Sequence, residues 1–399
     1  MAISKTHMIE NHIPRKAGGD VLRRIEALKI GQKMQDLPEE LWHKSFRYYV
    51  KEDPTRVGGP NLRMIRLDPA KPSLTVTGYI FNKFVHPYEN RFVTVREASR
   101  LQGFPDTFRF VGTLTSTQMQ VGNAVPVPLA RAVAQAVLDH AVRFKIFSPK
   151  QMKAKLPVLS LFSGAGGLDI GIGDAQNGKA SWQVAGCVER DHDCCNTLRE
   201  NFAGKSRIFE ADITDLDPKA VLHECGIESE LPLLVGGPPC QAFSQAGKQK
   251  GVSDPRGTMV SHYLRFLKEL KPMYFIMENV SGLRSIEKGR LLQSILSEMK
   301  DLGYSVSHDL LCAADYGAPQ MRNRLVFVGV KNTYPAVALP KPTHSRCPTK
   351  GEKPYVGIGD AFKGLPVVPL SGEPLVQATL SIAESRARYS RPKRQKRVS

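Results

Sequence analysis

The chain has 399 residues, enough for two domains or for one large domain with a smaller lobe, and it can bury a sizeable core. Its 56 lysines and arginines against 38 acidic residues give a formal charge of +18, which favours a polyanionic partner because such side chains release counterions condensed on phosphates. An anionic membrane surface is the competing partner, but the sequence reads without an apolar span long enough to cross a bilayer or a clear basic amphipathic anchor.

In chain order, the start MAISKTHMIENHIPRK lacks the apolar core of a signal peptide, so a cytoplasmic location is expected. Residues 1–117 are rich in Pro, Gly, Lys and Arg and show no alternation of strand and helix, which predicts an irregular lobe. PVPLARAVAQAVLDHAV follows, with Leu129, Val133, Val137 and Ala141 on one helical face. From Leu156 to Val330, short apolar runs (PVLSLF, QVAGCVE, LPLLVGG, MYFIME, LVFVGV) alternate with helical stretches. One of these, SHYLRFLKEL, places Tyr263, Phe266, Leu267 and Leu270 at helical spacing. Strands apolar nearly throughout are covered on both faces, so the expected fold class is α/β with a doubly wound, mostly parallel sheet. Residues 331–399 return to irregular composition, and the stretch from Arg386 to Arg397 reads as a solvated basic tail or a phosphate-contacting arm. The 7 cysteines show no paired C-x-x-C spacing, so neither a disulfide framework nor a structural metal site is expected.

Doubly wound sheets bind ligands beyond the carboxyl ends of their strands, and the informative residues fall there. Phe162-Ser163-Gly164-Ala165-Gly166-Gly167 follows the first strand, Glu189 ends the second, and Asp212 follows the third. A glycine-rich turn with an acid at the next strand end is a way to hold a nucleoside, the acid accepting from ribose hydroxyls. Asp212 is then placed for an adenine amino group, or serves only as a helix cap. GGPPCQAFS, residues 236–244, puts Cys240 after two glycines and two prolines, a stiff, sharply turned backbone that presents a side chain. A thiol becomes a strong nucleophile when deprotonated, which nearby positive charge favours, and Arg322 and Arg324 alternate in strand fashion before LVFVGV. Glu278, ending MYFIME, would be partly desolvated and able to hold a proton; the alternative is a glutamate merely paired to one of those arginines. Nucleophile, acid and nucleoside pocket together suggest addition to an electron-poor ring followed by group transfer.

These residues resemble the DNA cytosine-5 methyltransferase family. SLFSGAGGLD is similar to its motif I, CVERD to II, ADI to III, GGPPCQAFS to IV, MENV to VI, QMRNR to VIII, RFVTVREASRLQGFPD to IX and QVGNAVPVPLA to X. The resemblance implies a methyltransferase of Rossmann-like fold with a smaller target-recognition lobe, using S-adenosylmethionine and no metal. Cys240 would attack C6 of a flipped cytosine, Glu278 would contact N3 and the exocyclic amine, and Arg324 and Arg322 would lie near the base carbonyl and the thiolate. Phe162, Ser163, Gly164, Gly166, Gly167, Glu189, Asp212, Ile213, Pro238 and Asn123 match cofactor positions, and Gln241, Ser244, Lys248, Arg256 and Gln320 are expected on DNA. The implied partner is double-stranded DNA at the bacterial nucleoid, with a restriction endonuclease acting on the same site without direct contact; an RNA cytosine-5 methyltransferase of the transfer-RNA type is the alternative.

The order departs from the family's, in which motifs IX and X come last, so the resemblance implies a circular permutation. RFKIFSPKQMKAKLP would be the new join and the opening would fall inside the recognition region. The implied division is 1–117 as part of the recognition lobe, 118–345 as the catalytic domain, and 346–399 as the rest of the recognition region with the tail.

Overall fold

The computed structural model describes residues 9–51, 64–239 and 259–368. Helices are α1 (Gly19–Ala27), α2 (Lys44–Lys51), α3 (Val95–Leu101), α4 (Leu114–Asn123), α5 (Val127–Arg143), α6 (Gly167–Gly173), α7 (His192–Phe202), α8 (Pro218–Glu224), α9 (Met259–Leu270), α10 (Arg290–Asp301) and α11 (Ile358–Phe362). Strands are β1 (Ile65–Arg66), β2 (Phe84–Val85), β3 (Lys155–Leu161), β4 (Gln176–Asn177), β5 (Ala180–Glu189), β6 (Arg207–Glu210), β7 (Leu233–Gly236), β8 (Tyr274–Val280), β9 (Tyr304–Cys312) and β10 (Asn323–Lys331).

The main sheet has the order β4-β5-β3-β7-β8-β10-β9, with β6 also on β5. Strands β6, β5, β3, β7 and β8 are mutually parallel, whereas β10 runs antiparallel to both β8 and β9. The sheet is therefore mixed, with the short β4 antiparallel to β5 at the other edge, which corrects the mostly parallel, doubly wound expectation, chiefly at the β10 side. The physical reason is the connection from Ala313 to Arg322, which turns the chain back so that β10 enters between β8 and β9 instead of crossing over.

Both faces of the sheet are covered. On one, α5 and α6 bury Leu129, Val133, Val137 and Ile172 against Val158, Val184, Tyr274 and Val328. On the other, α9 and α10 bury Tyr263, Phe266, Ile295 and Met299 against Leu159, Leu234, Phe275 and Phe327. Alternate residues of one strand serve opposite cores, which explains why these strands are apolar throughout. The stretch Leu114–Arg143 reaches the length and apolarity of a membrane span, against the sequence reading, but it is two helices interrupted at Ala124–Pro126. Of its most apolar window, 67% is buried inside the protein, as a core element requires.

A smaller lobe forms around α3 and the segments flanking it. Phe104, Phe108 and Phe110 make a three-ring cluster with centroids 4.9–5.1 Å apart, and Ile358 and Phe362 of α11 pack into the same core. Beneath it lies a charged knot. Arg91 holds Glu97 through two bonds of 2.9 and 2.7 Å, and His86 stacks on Phe362 at 5.5 Å. The His12 ring bridges the Thr94 hydroxyl (2.8 Å) and the Pro366 carbonyl (2.9 Å), so segments from near both ends of the sequence share this lobe.

Candidate active site

Strand register builds the site. Phe209, Val188, Leu161, Gly236 and Met277 pair successively across β6, β5, β3, β7 and β8. One residue further along these strands, a row at the sheet's carboxyl edge carries Glu189, Phe162, Gly237 and Glu278.

On the left of this row is the glycine turn. Phe162 takes φ +54°, Gly164 +54° and Gly166 +83°, so the chain leaves β3 through left-handed backbone before starting α6. The Gly164 amide donates to Glu189 at 2.8 Å, and the other Glu189 oxygen accepts from the amides of Arg190 and Asp191. A Cβ on Gly164 would meet nothing within 4 Å, which leaves an open approach beside the Glu189 carboxylate. Gly166 and Gly167 serve packing instead, since a Cβ would strike Phe202 in the first case and the Val125 carbonyl in the second. The second contact seats the α4–α5 turn, with exposed Asn123 at its start, against the glycine turn. Ser163 is buried with its hydroxyl on Ser160 (2.9 Å), and Ile213 is buried below Asp212. Asp212 accepts from the Thr214 amide at 3.0 Å and faces Arg190 at 3.5 Å; the amide bond, then Thr214's side chain and the arginine, hold its carboxyl below the usual range.

On the right is the acid. Glu278 is 9% exposed, and Arg324 Nε reaches its Oε1 at 2.5 Å. Burial pushes the carboxyl up, against the opposing charges of Arg324 and Arg322. Glu278 also lies against the proline turn, since a Cβ on Gly237 would stand 3.1 Å from its Oε2. Asn279 fixes that turn by donating to the Pro238 carbonyl at 3.1 Å, a role that the sequence reading did not assign. Gly236 admits the close passage of the Leu161 carbonyl and the Tyr263 ring, either of which a side chain would strike. Cys240 follows two residues after Pro238 and lies outside the described residues, as do Gln241, Ser244, Lys248 and Arg256.

Two expected residues are held inside the protein. Arg322 is only 1% exposed, and its guanidinium donates to the carbonyls of Val76 and, at 3.0 Å, Gly122. Burial, then the charge of Arg324, lowers it to about 9, with Glu278 opposing. Gln320, expected on DNA, is fully buried with both ends of its amide bound to protein, which removes it from any DNA surface. A polar side chain in a polar motif reads as exposed until its partners, here more than 200 residues away in sequence, are known.

A glycine turn beside a carboxylate, and a buried acid against a rigid proline turn, sit on one sheet edge. The profile of C-5 cytosine-specific DNA methylases matches residues 3–139 and 156–367. The chain belongs to this DNA methylase family.

Among curated relatives, the Type II methyltransferase M.AquIA of a Picosynechococcus species is 40% identical over 232 residues, 54% of this chain and 90% of that protein. M.NgoFVII of Neisseria gonorrhoeae is 35% identical over 53% of this chain and 54% of its own length, and M.SacI of Streptomyces achromogenes is 34% identical over 56% and 61%. This methylase thus spans most of the first relative and little more than half the length of the other two. Among its described residues no cluster of His, Cys, Asp and Glu could hold a metal ion. The described cysteines are free thiols, with Cys187 and Cys195 packed in the interior.

Proposed function

We propose that this DNA methylase transfers a methyl group from S-adenosylmethionine to C5 of a cytosine flipped out of a specific duplex sequence. The observation that carries the reading is the placement of Glu278, buried and ion-paired, against the Gly-Gly-Pro-Pro turn that leads directly into Cys240. The family match and the relatives' names favour DNA over the transfer-RNA alternative.

The residues present fit the cofactor. Gly164 leaves open space beside Glu189, whose carboxylate is oriented by three backbone amides and is suited to ribose hydroxyls. Asp212, at the next strand end, suits an adenine amine, with Phe162, Ile213, Pro238 and Asn123 around the nucleoside and Ser163, Gly166 and Gly167 shaping the turn. When bound, S-adenosylmethionine supplies an electrophilic methyl group. The Cys240 thiolate adds to C6 of the base, and Glu278, raised by burial, holds a proton at N3 and accepts from the exocyclic amine. Negative charge from the addition is thereby shifted onto a protonated ring, leaving C5 electron-rich. Arg324, on Glu278, fixes the acid and faces the base carbonyl. Once C5 carries the methyl group, loss of its proton to solvent re-forms the C5–C6 double bond and expels the Cys240 thiolate, while the N3 proton returns to Glu278. Because stacking shields a duplex base, the target must be extruded, with Gln241, Ser244, Lys248 and Arg256 meeting DNA from the loop 241–257.

The circular permutation belongs to this reading. The profile matches in two segments separated by 140–155, where the proposed join lies, and His12 and Pro366 share one lobe. A restriction–modification setting follows from the relatives' Type II names, with duplex DNA as partner and an endonuclease of the same specificity acting independently. The test is transfer of labelled methyl groups to duplex DNA by the wild-type chain and by Cys240→Ser. Activity is expected only in the former, and full activity in the variant would remove the proposed nucleophile.

A further inference from the structure

The lead-in to β10 is joined to the smaller lobe by a continuous hydrogen-bond network with a buried centre. Ser73 donates its amide to the Pro319 carbonyl (2.9 Å), Met321 donates to the Ser73 carbonyl (2.7 Å), and the Thr75 hydroxyl donates to the Met321 carbonyl (2.8 Å). Ser73 and Gln320 therefore form a single parallel bridge between the two segments. At its centre, Gln320 Oε1 accepts from the Val76 amide at 3.1 Å, while Nε2 donates to the Leu101 carbonyl at 2.9 Å and to Gln102 Oε1 at 2.5 Å. Gln102 in turn donates to the carbonyls of Val121 (2.7 Å) and Ala124 (3.3 Å) at the end of α4. That bond turns the Gln102 oxygen towards Gln320, so the two amides orient each other. Both side chains are 0% exposed.

Arg322 uses the same two segments. Its guanidinium donates to Val76 and Gly122, whose carbonyls lie on the lobe segment and in the last turn of α4. A buried cation whose only partners among the described residues are carbonyls of other segments, with its Nε unpartnered, keeps its position only while those segments do.

We propose that Gln320 is a positioning residue: it fastens Val76 and the end of α4 to the start of β10, and so holds Arg322 and Arg324 beside Glu278. The proposal rests on the methyl-transfer reading above and adds a residue that touches neither base nor cofactor. No other side chain of this size meets the requirement. Glutamate cannot donate to Leu101 and Gln102, and methionine fills the space without bonding to any of the three partners. The groups facing Glu278 are Arg324 on β10, Arg322 ahead of it, and the turn at Gly237 that precedes Cys240.

Steady-state kinetics of Gln320→Met with duplex DNA test this, alongside cofactor binding, thermal melting and the pH profile of kcat. Loss of buried bonds is expected to lower kcat about tenfold or more. KM for the cofactor should stay within about twofold of wild type, since the glycine turn and Glu189 are untouched. As Arg322 moves from Glu278, the acid holds its proton to higher pH, so the alkaline limb of the profile should shift upwards. Gln102→Met breaks only part of the network and should show the same split at smaller amplitude, which keeps the measurement available if Gln320→Met does not fold. Unchanged kcat and profile in the folded variants would overturn the role, as would a fall in kcat that merely follows lost folding or lost cofactor affinity. An inactive wild-type chain would overturn the methyl-transfer reading as well, whereas an active wild type with unaffected variants removes the role alone.

Discussion

Arg324 meets Glu278 because β10 runs against β8: Arg324 pairs with Val280 in the ladder, and its Nε reaches across to the carboxylate at 2.5 Å. A parallel β10 would begin at the opposite edge of the sheet, far from the acid. The reversal of one strand is thus what assembles this half of the site.

Glu278→Gln is expected to keep the fold and lower methyl transfer about a hundredfold or more, the usual contribution of a positioned acid. Incorporation of labelled methyl groups measures it. Because burial raises this carboxyl, the active protonated form persists into higher pH than for a solvated glutamate and is lost as pH rises through the raised value. Wild-type transfer that strengthens steadily with alkalinity would contradict the assignment of Glu278 as proton holder.

Removing Arg324 has a signed consequence. Its charge opposes the upward push of burial on Glu278, so Arg324→Met should move the alkaline limb of the kcat profile to higher pH while lowering kcat at neutrality. A limb moving to lower pH would show that the pair is coupled in some other way.

Acid should loosen the smaller lobe. His86 Nδ1 accepts from the amides of Tyr88 and Glu89, and burial holds this imidazole at about 3. The unfolded chain binds that proton near pH 6.5, so between the two values the unfolded state carries more protons and stability falls as pH falls. Burial opposes ionisation of Glu97, but the charge of Arg91, with His86, keeps its carboxyl below the usual range, which adds a second loss beneath pH about 4.5. Unfolding free energies from urea titrations between pH 7 and 4 should decline by on the order of 1 kcal/mol per pH unit, and a constant value would refute the account. Arg91→Met leaves Glu97 buried without its partner and should cost about 3–5 kcal/mol.

Gly122 crosses Gly78 so closely that a Cβ would overlap the Gly78 amide. Gly122→Ala must part the end of α4 from the segment carrying Val76, at a cost of about 1–3 kcal/mol. A lower melting temperature is expected, together with reduced kcat because Arg322 donates to both segments. Wild-type melting and turnover in this variant would mean that the crossing is free to open.

Much of this was legible in the residues themselves. Apolar runs ending at Phe162, Glu189, Gly237 and Glu278 announced strands covered on both faces with chemistry at one edge, and the register aligns those ends. Strand direction was not legible, because periodicity is the same whichever way a strand runs, so the mixed edge at β10 could not be foreseen. Nor were the roles of Arg322 and Gln320. Whether a guanidinium or an amide faces solvent depends on which distant backbone groups need partners, and Val76, Leu101 and Gly122 are far away in sequence.

The bridge made by His12 joins residues 354 positions apart. Closing so large a loop is entropically late in folding, since long-range contacts yield nothing until the chain between them is already ordered. The sheet, built from neighbouring segments, can nucleate alone, whereas the knot around Glu97 waits for Phe362 and Pro366 to arrive. During synthesis, the lobe would therefore set last, after residue 366 has left the ribosome.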